Sequence, residues 1–331
     1  MPTMTGIPKL MRAAAIEMYG PPGVIGIQLL PVPEVDGDEI LIAIDTAGVG
    51  PWDAEIREGE LDGEATFPLI LGTDGSGSVA EVGENVRNFA PGEEVYSYSF
   101  NNPKGGFYAQ YVAVKATKAA HVPKSLDLER AGAVATIGLT AIQGIDDHLR
   151  VKPGERVIVH GASGGVGHLG LQFAKFRGAE VFATASGPEG VNFVERLGAD
   201  AAADGREGGI TEAALDFAPD GVDAVFALIG GASLEQCLNA LRPGGRLAYP
   251  NGVEPIPKIG GDIEVKAYDA ISGKREFDHL NRVLDEAQPV IAVAARYSLD
   301  EAAEAHRRLE RGHVFGKIVL KISEPENHES E

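Results

Sequence analysis

The segment that most constrains the fold runs from residue 156 to residue 175 and reads RVIVHGASGGVGHLGLQFAK. Residues 157–159 form a short β-branched run, which is typical of a parallel strand buried on both faces. Glycines follow at once, and then a mostly apolar stretch that ends at Gly178, which predicts a buried helix. The sequence therefore predicts a strand, a tight turn and a helix in immediate succession.

The turn has the composition of a binding site for a dinucleotide pyrophosphate. The first N–H groups of a helix lack partners, and the helix dipole places partial positive charge beside them. Ala162, Gly164 and Gly167 reproduce the G-x-G-x-x-G pattern with alanine first. A glycine turn without a ligand is the alternative, but a second strand at 180–184 follows the helix and favours cofactor binding. The residues predicted to line this turn are Gly161, Ala162, Ser163, Gly164, Gly165, Val166 and Gly167.

Charge and composition exclude several classes of function. The chain of 331 residues has 49 acidic and 29 basic residues, a formal charge of −20, which argues against a nucleic-acid or anionic-membrane partner. No apolar run approaches the roughly 18 residues that a membrane span needs. No signal peptide is recognisable, so we expect a cytoplasmic protein. Cys237 is the only cysteine and the eight histidines are scattered, so we expect neither a disulfide nor a zinc site.

The half of the chain before the glycine turn reads as mainly β. The first ten residues carry no periodicity and are interpreted as a loose extension. Many short strands with Pro/Gly turns predict a small barrel or sandwich. A long helix is predicted over 128–149, softened near Gly138. The predicted strands lie at 39–44, 77–82, 94–98 and 108–114.

After the turn, strands and helices alternate, which predicts a doubly wound, right-handed parallel sheet. A strand is predicted at 221–230, a helix at 232–241 stopped by 243–245, and a strand at 246–249. Cys237 lies among leucines and is interpreted as a buried apolar residue. Further on we predict a helix at 277–287, a strand at 290–293, a helix at 299–311, a closing strand at 317–321 and a disordered tail from 324.

Several phrases in this order resemble the zinc-free medium-chain dehydrogenase/reductase family, and specifically its quinone oxidoreductase (zeta-crystallin-like) branch. The resemblance covers about residues 11–322 and is carried by AGVGPWD (47–53), LGTDGSG (71–77), VGENV (82–86), PGEEV (91–95), GGFYA (105–109), GLTA (138–141), the glycine turn and RPGGR (242–246). Zinc-containing relatives have Cys and His-Glu where this chain has Gly50 and Thr73-Asp74. The resemblance therefore implies a site without zinc.

The resemblance implies an α/β protein in which a Rossmann doubly wound parallel sheet is joined to a mainly β, GroES-like, partly open barrel that forms the catalytic domain. We expect a loose extension at 1–10, a discontinuous catalytic domain at 11–133 and 273–322, a cofactor domain at 134–272 and a disordered tail at 323–331. The active site then lies in the cleft between the domains. Relatives are usually dimers through an edge strand, which here is the segment 262–268.

The coenzyme predicted from these residues is NADPH, with NADH as the alternative. Ser186 follows the second strand where NAD-selective folds place an acid, and it could donate to a 2′-phosphate. The family's usual Lys and Tyr are replaced by Gly190 and Gly205, which leaves Arg206 as the nearest cation, while Glu189 could reject a phosphate. Loops at strand ends and the family pattern add the remaining cofactor contacts, which are Thr140, Leu228, Ile229, Gly230, Asn251 and Lys317.

The resemblance implies reduction of a quinone or an α,β-unsaturated carbonyl without zinc. The Asn common in relatives is replaced by Gly50, so a catalytically weak NADPH-binding sensor or structural protein is the alternative. RNA binding is known in some relatives, but the acidic net charge of this chain disfavours it. Asp53 is interpreted as a structural charge partner. Possible proton donors are Tyr98, Tyr108, Tyr268 and solvent. Candidate substrate contacts are Trp52, Ile56, Phe67, Thr73, Tyr98, Phe107, Asn251 and Tyr268, each with core filling as the alternative.

Overall fold

The computed structural model of the chain describes residues 6–60, 66–258 and 260–323. The predicted tail, apart from Ser323, and the first five residues of the predicted extension lie outside the described residues. The strands are β1 (Leu10–Ile16), β2 (Gly26–Pro31), β3 (Glu39–Val49), β4 (Leu69–Ile70), β5 (Asp74–Val82), β6 (Glu94–Tyr98), β7 (Tyr111–Lys115), β8 (Ala119–His121), β9 (Arg156–His160), β10 (Glu180–Ala185), β11 (Ala201–Asp204), β12 (Val222–Ala227), β13 (Leu241–Pro250), β14 (Ile263–Tyr268), β15 (Val293–Ser298) and β16 (Lys317–Lys321).

Eight α-helices accompany these strands within the described ranges. They are α1 (Pro51–Glu58), α2 (Leu128–Ile142), α3 (Gly165–Phe176), α4 (Gly187–Arg196), α5 (Ile210–Phe217), α6 (Ala232–Asn239), α7 (Lys274–Ala287) and α8 (Ala302–Glu310). Within the part of the chain that the structure describes, no helix combines the length and the apolar character that crossing a membrane requires.

The central sheet of the second half is parallel throughout and has the strand order β11-β10-β9-β12-β13-β14. Successive side chains of β9 enter different cores, because a strand directs alternate residues to opposite faces. Val157 and Val159 pack with α2, α3 and α7, whereas Ile158 packs with α5 and α6. The predicted doubly wound sheet is therefore confirmed, with helices on both faces.

The first half forms a β-rich domain that the end of the chain completes. Seven strands form one sheet in the order β15-β16-β3-β5-β6-β8, with β7 paired to β3, and β2-β1-β4 form a smaller sheet. The closing strand β16 pairs antiparallel with β3, with Ile318 opposite Val49. The chain thus returns to its first domain. Helix α2 rests on this sheet at Gly132, where a Cβ atom would lie 2.7 Å from the Thr46 carbonyl oxygen.

The sequence predicts a long helix over 128–149 with an irregularity near Gly138, and that position of the irregularity is wrong. Regular α-helix continues through Gly138 to Ile142, and a π-helical turn occupies Gln143–His148. Gly138 instead permits close packing, because a Cβ there would lie 3.1 Å from the Leu280 side chain of α7. A glycine in a helical sequence signals either a break or a close neighbour, and the neighbour is visible only in the fold.

Strand boundaries differ from the prediction where pairing decides them. The segment 243–245 does not end a helix but lies inside β13, where the register with β12 shifts between Val222 and Ala224. The predicted strand at 290–293 is not a strand before Val293, since both backbone polar groups of Val290 bond to the Gln172 side chain. Strand β7 begins three residues later than predicted, and helix α7 begins three residues earlier.

Two buried histidines connect distant parts of the fold, and hydrogen bonds fix their neutral forms. His168 donates from Nδ1 to the Gly164 carbonyl oxygen at 3.1 Å and accepts from the Ala292 N–H at 3.2 Å. His306 lies 2.9 Å from the Arg57 guanidinium and 3.2 Å from the Tyr108 hydroxyl. Burial lowers the pKa of His168 to about 4, and burial with the Arg57 charge lowers the pKa of His306 to about 3.

We expect these histidines to make the protein sensitive to acid. The unfolded chain binds protons on histidine below about pH 6.5 while the folded chain does not, so stability falls as the pH drops from about 6.5 towards 4. His168→Gln keeps a donor and an acceptor but does not titrate. It should reduce the loss of unfolding free energy between pH 7.5 and 5 by about 2 kcal/mol, measured by urea denaturation. The exposed His313→Gln is the matched control, and an unchanged slope in His168→Gln would contradict the assignment.

Candidate dinucleotide and acceptor site

The glycine turn lies at the carboxyl end of β9, where ligands bind in parallel sheets of this type. Gly161 has a φ of +81°, which only glycine adopts readily. A Cβ at Gly167 would overlap the Gly161 carbonyl oxygen, so helix α3 packs directly on the turn. Gly164 has open space beside it, since a Cβ there would meet only the Gly161 oxygen at 3.5 Å. The residues present therefore fit a pyrophosphate at the N-terminus of α3.

A polar pair beneath the turn fixes its first residue. The Thr184 hydroxyl, on β10, accepts a hydrogen bond of 3.1 Å from the Gly161 N–H and lies 2.6 Å from His160 Nδ1. Burial lowers the pKa of His160 to about 4, so the ring is neutral. The sequence prediction missed both residues. Their position as polar residues at or near the ends of two apolar strands was the available signal.

The loop after β12 closes one side of the turn. A Cβ at Gly161 would lie 2.8 Å from the Ile229 side chain, so the predicted loop of Leu228, Ile229 and Gly230 lies against the turn. Ile229 is 52% exposed although it is apolar. An exposed isoleucine beside an open glycine turn is available for contact with a bound ring.

No acidic residue directly follows β10, as predicted, but the neighbouring strand β11 ends in Asp204. Ser186 precedes α4 and makes no capping hydrogen bond with its side chain. Asp204, at the end of β11, accepts from the Gly187 N–H at 3.0 Å and pairs with Arg206 at 3.2 Å. These bonds lower the pKa of Asp204 to about 2. The Arg206 guanidinium is so close to Gly187 that a Cβ there would overlap it, whereas Glu189 is exposed.

The returning strand β16 brings a buried cation close to the glycine turn. Gly316 donates its N–H to the Ser163 carbonyl oxygen at 3.0 Å, so the chain touches the glycine turn just before Lys317. The Lys317 ammonium is 3.8 Å from Asp74 Oδ1 and 4.5 Å from the centre of the Trp52 ring. Asp74 Oδ2 accepts from the Thr136 N–H of α2 at 3.0 Å.

Four buried polar atoms, the ammonium nitrogen and three oxygens of neighbouring residues, make no hydrogen bond within residues 6–60, 66–258 and 260–323, and we call their residues the Lys317 cluster. They are Asp53 Oδ1, Asp74 Oδ1, Thr136 Oγ1 and Lys317 Nζ, out of five such side-chain atoms among those residues. Buried polar groups are normally paired, so their concentration here points to a ligand or ordered water. Burial raises the pKa of Asp53 to about 7, Lys317 opposes that rise and Asp74 adds to it.

Trp52 explains the glycine at position 50. A Cβ at Gly50 would overlap the Trp52 ring, so no larger side chain fits there with Trp52 in this position. The Trp52 Nε1–H donates to the Thr73 hydroxyl at 2.6 Å. Gly50 has no side chain, and the Thr73 hydroxyl is already engaged, so neither position offers a zinc ligand of the usual kind. The described residues contain no group of three or more His, Cys, Asp or Glu that could hold a metal ion.

The structure brings together only part of the predicted substrate contacts. Trp52, Thr73 and Tyr98 surround the Asp74–Lys317 pair, because Tyr98 on β6 stands opposite Asp74 on β5. Asn251 donates to Asp269 at 2.9 Å, and the Asp269 carboxylate is near enough to raise the pKa of Tyr98.

The other predicted contacts are placed elsewhere or are engaged. Phe107 is fully buried in the β-domain core, and Ile56 packs against the same core. Phe67 is 38% exposed and contacts the Tyr19 ring at 5.2 Å. The Tyr268 hydroxyl donates to the carbonyl oxygen of Thr140 at 2.7 Å, while the Thr140 hydroxyl donates to Thr136.

Both halves of the chain match known domain families. Residues 36–124 match the family described as alcohol dehydrogenase GroES-like domain, and residues 165–269 match the one described as zinc-binding dehydrogenase. The quinone oxidoreductase of Sus scrofa is 31% identical over 333 residues, covering 95% of this chain and 98% of that protein. The chloroplastic NADPH-dependent alkenal/one oxidoreductase of Arabidopsis thaliana is 30% identical, covering 95% of this chain and 80% of that protein.

Solved structures agree with this likeness. An NAD-dependent alcohol dehydrogenase superposes with a TM-score of 0.88 at 30% identity, covering 95% of this chain and 100% of that one. A mycobacterial protein solved in complex with NADPH superposes with a TM-score of 0.85 at 28% identity, covering 94% and 100%.

Two glycine substitutions should separate cofactor access from folding. Gly164→Ala places a methyl group in the open side of the turn, so we expect dinucleotide affinity to fall about tenfold or more with little change in stability. Gly167→Ala forces α3 off the turn and should cost about 1–3 kcal/mol of stability. Binding is measured by the fluorescence of Trp52, the only tryptophan, and stability by thermal melting. Unchanged affinity in Gly164→Ala would refute the assignment of the turn.

Proposed function

This chain belongs to the quinone oxidoreductase, zeta-crystallin-like branch of the medium-chain dehydrogenase/reductase family, and on that premise we propose that it is an NADPH-dependent, zinc-independent reductase of quinones or α,β-unsaturated carbonyls. The observation that carries the proposal is the open side of the glycine turn at Gly164, together with the hydrogen bond from Gly316 to Ser163 that brings Lys317 next to the turn. A dinucleotide held by the turn would place its reactive end beside the Lys317 cluster.

The preference for NADPH is supported by the residues that follow β10 and β11. No acid follows β10 to hold a free ribose hydroxyl, and Arg206 lies against Gly187, next to Ser186. Relatives differ in this respect, since one carries NADPH and another NAD in its name. Asp204 holds the Arg206 side chain beside the start of α4. A 2′-phosphate bound there would contact the Arg206 guanidinium and would also be stabilised by the positive end of the helix dipole.

A conjugated acceptor suits the groups in the cleft. When bound, the reduced cofactor supplies a hydride, and the acceptor spreads the resulting negative charge onto its oxygen. Hydrogen-bond donors and a buried cation stabilise such an oxygen, so no zinc ion is required. The Trp52 ring covers the Lys317 ammonium at 4.5 Å, and Lys317 is only 3% exposed, so the charge of this cation is little screened by water.

The direct test is oxidation of NADPH, and separately of NADH, with benzoquinone-type and short enone acceptors, followed by the absorbance of the reduced nicotinamide. We expect faster loss of NADPH with at least one acceptor class.

Gly50, which replaces the Asn of relatives, favours a second candidate function, a cofactor-binding sensor without turnover. Tight NADPH binding with no oxidation across both acceptor classes would establish that second candidate instead.

We also propose a homodimer formed through β14. Among the described residues this edge strand of the parallel sheet pairs only with β13, and its residues Lys266 and Ala267 are exposed. Antiparallel pairing with the same strand of a second copy would satisfy its free backbone groups. Sedimentation equilibrium gives the outcome directly, and a monomer at micromolar concentration would contradict the proposal.

Arg206→Ala should change the choice of coenzyme without changing the reaction. An arginine–phosphate contact contributes about 1.5–3 kcal/mol, so NADPH affinity should fall about 10- to 100-fold while NADH affinity stays constant. Arg242→Ala is the matched control, because Arg242 pairs with Asp223 near the opposite ends of the strands. Dissociation constants for both coenzymes are measured by fluorescence titration. Equal loss for NADH and NADPH would show that Arg206 does not contact the 2′-phosphate.

A further inference from the structure

The three tyrosines predicted as possible donors are not equivalent. The Tyr108 hydroxyl is fully buried and lies 3.2 Å from His306 Nε2. The Tyr268 hydroxyl is committed to the Thr140 carbonyl oxygen at 2.7 Å. Tyr98 is half-buried, and its hydroxyl makes no hydrogen bond with residues 6–60, 66–258 or 260–323. Of the three, only Tyr98 has a hydroxyl that is both accessible and uncommitted among these residues.

Tyr98 lies near charged residues of both domains. It ends β6, directly opposite Asp74 on β5, and therefore stands beside the buried Lys317 cluster. Its pKa is raised first by burial and then by the carboxylates of Asp74, Asp269 and Asp53. Asp269 belongs to the cofactor domain, where it accepts a hydrogen bond from Asn251. Tyr98 thus belongs to the β-rich domain but is also close to the loops that follow β13 and β14.

Position 50 cannot supply the donor that relatives carry there. Gly50 has no side chain, and the Trp52 ring occupies the space into which one would extend. The Trp52 N–H is itself used by the Thr73 hydroxyl. A donor to the acceptor oxygen must come from another element, and β6 is the neighbouring strand that offers one.

Building on the proposed function, we propose that Tyr98 is a catalytic residue that donates a hydrogen bond to the carbonyl oxygen of the quinone or enone. The acceptor gains a hydride at carbon from the reduced nicotinamide, which is thereby oxidised by two electrons, and the electron pair of its conjugated π system moves to oxygen. For an enone, a proton from solvent at the α carbon completes the product. For a quinone, solvent protonates the charged oxygen, and the ring carbon that received the hydride then loses a proton while the second oxygen gains one, which gives the hydroquinone. The Tyr98 hydroxyl remains protonated throughout.

The surroundings of Tyr98 favour a hydrogen bond over proton transfer. The raised pKa keeps the hydroxyl protonated at neutral pH, so it is always available as a donor. A donor fixed in a water-poor site stabilises developing negative charge more than water does. The nearby carboxylates oppose an oxyanion, and the Lys317 ammonium, 3.8 Å from Asp74, offsets that repulsion.

Tyr98→Phe removes the hydroxyl and keeps the ring. Loss of one such donor should lower kcat about 100-fold, with unchanged NADPH affinity and an unchanged melting temperature. The carbonyl stretching frequency of a bound enone, measured by infrared difference spectroscopy with the oxidised coenzyme, should rise because its hydrogen bond is gone. The matched control is Tyr96→Phe on the same strand, whose hydroxyl bonds to Asn281 of α7; it should keep the wild-type kcat and carbonyl frequency.

The outcomes separate this inference from the proposed function. Wild-type turnover together with a Tyr98→Phe kcat within twofold of wild type would overturn the role of Tyr98 and leave the proposed function standing. An unchanged carbonyl frequency in Tyr98→Phe would overturn it as well. A wild-type protein that binds NADPH but reduces neither acceptor class would overturn both.

Discussion

A buried ammonium group holds the functional part of this molecule together. Lys317, on the last strand, lies against the Trp52 ring and next to Asp74, and Asp74 accepts a hydrogen bond from the backbone of Thr136 in α2. One charge cluster thereby joins the closing strand, the barrel and the helix that leads into the cofactor domain. Removing one member of such a cluster leaves an uncompensated charge in the interior, so its members depend on one another.

The glycine turn depends on the same closing segment. Gly316 bonds to Ser163 in the turn, and His168 of α3 links Gly164 to Ala292 just before β15. These contacts attach the turn to the part of the chain that returns to the barrel. The two sides of the cleft are therefore held at a defined separation, which hydride transfer requires, because the reacting carbons must approach to about 3–3.5 Å.

The glycine at position 50 and the Trp52 ring occupy the same part of the site. With Trp52 placed over Gly50, the first turn of α1 presents an aromatic wall instead of an amide. Position 50 therefore offers no hydrogen-bond donor from a side chain, whereas Tyr98 on β6 stands opposite Asp74 in the same site.

Local sequence determined the strand, turn and helix at 156–176, because β-branched runs, left-handed glycines and apolar helical faces act between near neighbours. It also indicated the alternation that builds the parallel sheet. Tertiary structure decided where β13 and β15 begin, because pairing partners and side chains such as Gln172 compete for the backbone. It alone brought Lys317 to Asp74 and Tyr98 to the cleft, since those contacts join residues far apart in sequence, about which local periodicity carries no information.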